Sequence, residues 1–125
     1  MTDAERADTT RALIKCVLGG TRHARRGLEL VDDPECKVIE ADGAAIIYAP
    51  VAGASDVVKL HLQLGGAGIL RALPPARICF AEVPDEAPYA AMIAALLANG
   101  FREEGRIDAY VAEAIALRLL VKRTA

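Results

Sequence analysis

Gln63-Leu64-Gly65-Gly66-Ala67-Gly68 places three glycines directly after an alternating apolar run. Backbone without side chains at a strand-to-helix turn lets N–H groups approach a phosphate or pyrophosphate closely, and a helix N-terminus adds partial positive charge. The same stretch also reads as a glycine-rich connector between two strands. Two nearby residues could serve as a general base. Glu82 ends the apolar run Arg77-Ile78-Cys79-Phe80-Ala81-Glu82-Val83, where a buried carboxylate is costly unless it is paired or functional. His61 alternates with Leu60, Leu62 and Leu64 and so points to the face opposite them.

Other reactive side chains carry less. Arg22, His23, Arg25 and Arg26, with Lys15 one helix earlier, could meet a phosphate or an acidic partner. At helical spacing they read first as a solvated face compensated by Glu29, Asp32 and Asp33. Asp85-Glu86 suits a helix start on dipole grounds alone. Cys16, Cys36 and Cys79 are odd in number and lack metal-ligand spacing, which predicts free thiols and no metal. No Ser-His-Asp pattern, Walker loop or His-Glu-x-x-His motif occurs.

These residues need elements to position them. Thr9-Thr10 offers a cap for a helix through Leu13, Ile14, Val17 and Leu18, which Gly19-Gly20 stops. Thr21 starts a second helix that runs toward Leu30 and ends at Asp32-Asp33-Pro34. Lys37–Glu40 and Ala44–Tyr48 flank Asp42-Gly43, a strong hairpin signal. Val58, Leu60, Leu62 and Leu64 alternate with Lys59, His61 and Gln63 as in a strand buried on one face. Pro74-Pro75 cuts short any helix after the glycines. A strand over 77–83 follows. Asp85 is then the expected N-cap of a helix with Tyr89, Met92, Ile93, Leu96 and Leu97 at core spacing and Gly100 at its end. Two strands close the chain, joined by a turn near Ala112-Glu113-Ala114. In the last of them Ile115, Leu117, Leu119 and Val121 form the expected core face, opposite Arg118 and Lys122.

Leu97-Ala98-Asn99-Gly100-Phe101-Arg102-Glu103-Glu104-Gly105-Arg106, closed by a hydrophobic strand ending in Lys-Arg, resembles the C-terminal half of a GNAT acyltransferase. The resemblance covers about the last fifty residues well and the middle loosely. It implies a GNAT-like mixed β-sheet flanked by helices, α/β or α+β in class, with the first strand missing or absorbed into the N-terminal segment. It implies that Gln63, Gly65, Gly66, Ala67 and Gly68 cradle acetyl-CoA or another acyl-CoA, and that the acyl group passes to a small-molecule or peptide amine. Glu82 would then serve as base. The family's usual acid tyrosine falls at Leu96 here. Tyr89, two turns earlier, is the tyrosine on this helix that could reach a ligand.

Composition bounds these readings. At 125 residues, 54% hydrophobic and 26% charged, the chain reads as one folded domain over 1–125. A net charge of −2 argues against general nucleic-acid binding. No apolar run spans a bilayer, and Met1-Thr2-Asp3-Ala4-Glu5-Arg6 is unlike a secretory signal, so the expected location is cytoplasmic. The apolar excess hints at a homodimer interface. Two functions stand side by side: an acyl-CoA-dependent N-acetyltransferase, and a degenerate GNAT-like binding or dimerisation module.

Overall fold

The structure, a computed structural model, describes residues 2–112 and 115–124. Two helices, α1 (Asp3–Leu18) and α2 (His23–Asp32), precede three strands, β1 (Lys37–Ala41), β2 (Ala44–Pro50) and β3 (Val57–Leu64). A short 3-10 helix over Ala67–Ala72 leads to β4 (Ile78–Pro84). A 3-10 turn, Ala87–Tyr89, then runs into α3 (Ala90–Ala98), and β5 (Arg102–Ala112) and β6 (Ile115–Arg123) complete the order expected from the sequence. The six strands form one mixed α+β sheet in the order β1-β2-β3-β4-β6-β5, in which β3 and β4 are parallel. Among the described residues no helix is long and apolar enough to cross a membrane.

The N-terminal helix starts earlier than Thr9-Thr10. Thr2 is the cap, its Oγ1 accepting from the Glu5 N–H at 3.1 Å, with Asp3 and Glu5 in the first turn. The Thr9 and Thr10 hydroxyls instead donate to the carbonyls of Glu5 and Arg6, one turn back inside the helix. The residues ahead of them are good enough helix formers to carry the helix to the first competent cap. Gly27 brings α2 against its neighbours, since a Cβ there would stand 3.0 Å from Ile14 Cγ2 and 3.6 Å from Leu62 Cδ2. The β1–β2 hairpin turns on Asp42-Gly43, both at positive φ, as the sequence predicts.

The middle strand departs from its simple alternation. Ile47 pairs with Leu62 and Tyr48 with Leu60, so His61 is the extra residue of a β-bulge. Residues paired directly across an antiparallel ladder share a face, and Ile47 and Tyr48 lie on opposite faces. Leu62 and Leu64 therefore point toward α1 and α2, while Val58 and Leu60 point to the other side. All four are buried, on two faces rather than one.

The C-terminal half needs two corrections of the same kind. Asp85 does not cap α3. Its carboxylate lies 3.2 Å from Arg106 Nη1 and its N–H donates to the Ala116 carbonyl, while the chain enters the helix through the Ala87-Pro88-Tyr89 turn. On β6, Ala116 and Leu120 are buried and share a face with Arg118 and Lys122, the face α3 covers through Met92, Ile93 and Leu96. On the expected face Val121 is buried, but Leu117 and Leu119 are only half-buried, and Leu97 on α3 is exposed. An interior strand has cover on both faces, and an arginine or lysine stem can lie under a helix with its head in water. Arg118 does so, its Nε donating to Glu103 Oε1 at the rim. The turn expected near Ala112-Glu113-Ala114 reaches outside the described residues. Burying Leu120 and Leu96 is worth roughly 1.5–3 kcal/mol each.

Between β3 and β4 the sheet opens. The register joins Val57 to Ile78, Val58 to Cys79 and Lys59 to Phe80, and continues no further. Beyond Lys59 each strand is hydrogen-bonded on one side alone, β3 to β2 and β4 to β6. The bulge at His61 falls where they part.

Candidate active site

The divergence of β3 and β4 forms one side of a cavity of about 330 Å³. Lys59, His61 and Leu62 enter it from β3, and Glu82, Val83 and Pro84 from β4. Leu18, His23, Arg26 and Leu30 close it from the helical hairpin, Tyr89 and Met92 from the start of α3, and Tyr110 and Leu117 from the last two strands. The volume suits a small ligand, and the floor is apolar with a few convergent polar groups.

Glu82 is not the buried carboxylate its strand position suggests. Its side chain is 40% exposed, and Lys59 Nζ stands 3.7 Å from Oε1. Both point to the α2 side of the sheet, at the edge of the opening. His61, freed from pairing by the bulge, is held below the ordinary histidine range by burial first and then by the charges of Lys59 and Arg26, which outweigh Asp33 and Glu82. It is a neutral imidazole at pH 7.

Tyr89 is buried, and its ring meets that of His23 edge to face with centroids 4.7 Å apart. Burial, and then the charge of Glu86, pushes its phenol up to about 12 against the opposing effect of Arg22. It is a neutral O–H donor across the working pH range. Glu86 gathers the neighbourhood: Arg22 Nη2 reaches one carboxylate oxygen at 2.7 Å and His23 Nε2 contacts the other. The arrangement ties the N-terminus of α2 to the entry of α3.

The glycine-rich segment lies apart from this cavity, beyond the C-terminal end of β3, and none of Gln63, Gly65, Gly66, Ala67 or Gly68 lines it. The Gln63 side chain is buried and turned inward, its Nε2 donating to the carbonyls of Gly65 at 2.9 Å and Gly66 at 3.4 Å. Gly65 has φ +79°, and a Cβ there would lie 2.6 Å from the Gly43 carbonyl oxygen, so this glycine seats the loop on the β1–β2 turn. At Gly66 and Gly68 the Cβ directions are open. The helix that follows is a six-residue 3-10 segment, too short for much dipole.

Glu82, His61 and Tyr89 thus come together in one cavity, with the glycines as a second feature beyond the end of β3. Sequence reasoning left His23 and Arg26 on a solvated face and Glu86 at a helix start. The pairing of His23 with Glu86 spans 63 positions, and nothing local to either residue announces it.

No protein-family model matches the chain, and no curated protein matches it in sequence. Solved structures do match in three dimensions. A protein assigned to the GNAT family from Desulfovibrio desulfuricans superposes with a TM-score of 0.76 at 18% identity, over 97% of this chain and 94% of the other. The fold is the GNAT fold. An aminoglycoside 6'-N-acetyltransferase from Enterococcus faecium shares it with a TM-score of 0.68 at 11% identity, over 94% and 89% of the two chains. A further aminoglycoside 6'-N-acetyltransferase, solved as a complex with coenzyme A, does so with a TM-score of 0.59 at 10% identity, over 94% and 89%. Within this GNAT fold, Leu96, the position where the sequence resemblance places an acid tyrosine, is a fully buried core residue.

Proposed function

We propose that this protein transfers an acyl group, acetyl in the simplest case, from acyl-CoA to an amine. The observation that carries the reading is the parting of β3 and β4 beyond Lys59, which opens a cavity holding Glu82 and Tyr89 on a GNAT fold. The open backbone at Gly66, Ala67 and Gly68, at the end of the same strand, would take the diphosphate, with Gln63 and Gly65 holding the loop in shape. In the transfer the amine nitrogen attacks the thioester carbonyl carbon, the C–N bond forms and the C–S bond breaks. The amine proton passes to Glu82, directly or through water, and the departing thiolate takes a proton from the neutral Tyr89 phenol.

Calorimetric titration with acetyl-CoA, beside the thermal midpoint with and without it, tests the reading. Micromolar binding and a raised midpoint are expected. No heat and no shift at millimolar ligand would overturn it.

A second reading keeps the fold without the transfer, as a binding or dimerisation module. It is favoured by the buried Leu96 and the clipped helix after the glycines, with the exposed Ile107 and Tyr110 of β5 as its contact surface. The same titration separates the two.

A further inference from the structure

We infer that the acceptor admitted to this cavity is an amine that also carries an anionic group, a carboxylate or a phosphate, which Arg26 receives at the mouth. The inference rests on the cavity being the acceptor side of the proposed transfer.

The charges lining the cavity are unbalanced. Arg26 and Lys59 stand against Glu82 alone, and Glu82 is already the partner of Lys59. Arg26 has its nearest carboxylate at Glu29, 3.8 Å away on the same helix, with both side chains more than half exposed. Such a contact holds a guanidinium weakly and leaves its fork free for a bidentate guest. Beside it, Arg22 and His23 share the single carboxylate of Glu86. His61 senses the same field from inside: Lys59 and Arg26 act on its imidazole more strongly than Asp33 and Glu82 do. A polycation such as an aminoglycoside, the substrate named for two proteins of this fold, would meet repulsion here. An amine bearing an anion would place that anion on Arg26 and its apolar body against Leu30, Leu62 and Met92.

The test uses matched acceptors with the intact protein. Ala-Leu is set against Ala-Leu amide, phosphoethanolamine against ethanolamine, and kanamycin serves as the polycation. Thiol release from acetyl-CoA gives kcat/KM, and the thermal midpoint with acceptor alone gives binding without turnover. The wild type is expected to favour the anionic member of at least one pair by about tenfold or more, the scale of one charge-assisted hydrogen bond. Which pair responds tells carboxylate from phosphate. Arg26→Gln should remove the preference and Arg26→Glu reverse it. The Arg26 side chain is 63% exposed, so neither change threatens folding. Equal use of both members of each pair, preference for kanamycin, or a preference untouched by Arg26→Glu would overturn the inference. Should acetyl-CoA neither bind nor react while acceptor binding still discriminates by charge, the transferase reading falls and the anion selectivity stands. Turnover restricted to cationic acceptors would do the reverse, keeping the transferase and removing the anion selectivity.

Discussion

Lys59 Nζ stands 3.7 Å from Glu82 Oε1, bridging β3 and β4 where their ladder ends. The pair straddles the opening and holds the carboxylate at its rim. Neither side chain is deeply buried, so the contact contributes little to stability, on the order of 1 kcal/mol or less.

Glu82→Gln separates the two roles. If the carboxylate takes the amine proton, acetyl transfer at pH 7 should fall about a hundredfold or more while the denaturant midpoint barely moves. Unchanged turnover in an active preparation would remove Glu82 from the chemistry.

The glycine loop makes a contrasting pair of predictions. Gly65→Ala puts a methyl group against the Gly43 carbonyl at positive φ and should cost about 1–3 kcal/mol in urea unfolding. Gly66→Glu enters open space and should leave stability alone while abolishing acetyl-CoA binding by calorimetry. Wild-type affinity in the Gly66→Glu protein would take the loop out of the cofactor site.

His61 predicts an acid limb. Its folded-state pKa lies below its unfolded value of 6.5, so the unfolded chain binds the proton more readily. Its contribution to stability is complete above pH 6.5 and is lost as pH falls below it. His61→Gln should therefore flatten the fall in thermal midpoint below pH 6.5. Parallel wild-type and variant curves would contradict the placement of this imidazole.

Tyr89 predicts an alkaline limb of opposite sense. With the phenol at about 12 in the folded state and 10.0 as the ordinary value, the unfolded chain loses this proton first as pH rises. The folded state loses ground from pH 10 upward. The wild-type stability minus that of Tyr89→Phe should shrink across that window, followed by urea denaturation at fixed pH values.

Much of this architecture was legible because its signals are local. Asp42-Gly43 turns the hairpin wherever it occurs between alternating strands, and Pro74-Pro75 stops the segment after the glycines without help from tertiary contacts. The misses share a physical origin. An alternation of Val58, Leu60, Leu62 and Leu64 looks the same whether it runs straight or is broken by a bulge at His61. Only the pairing with β2 decides which leucine faces which layer. Likewise, the alternation of Ile115, Leu117, Leu119 and Val121 does not show that Ala116 and Leu120 on the opposite face are buried too; the position of α3 decides that, while Val121 is buried on its own side. Glu82 and Tyr89 could be named from the chain, but the guanidinium and imidazole that meet Glu86 come from the other end of it.

The short ladder between β3 and β4 makes the sheet two ribbons sewn at one end. β1-β2-β3 forms one and β4-β6-β5 the other, with Val57–Lys59 and Ile78–Phe80 as the stitches. Relative breathing of the ribbons pivots there, so the span of the gap follows from how firmly six residues hold, the last of them, Lys59, at its edge. Slow amide exchange along that seam and faster exchange at His61 and Glu82 would be the signature of a molecule that opens like a hinged clasp.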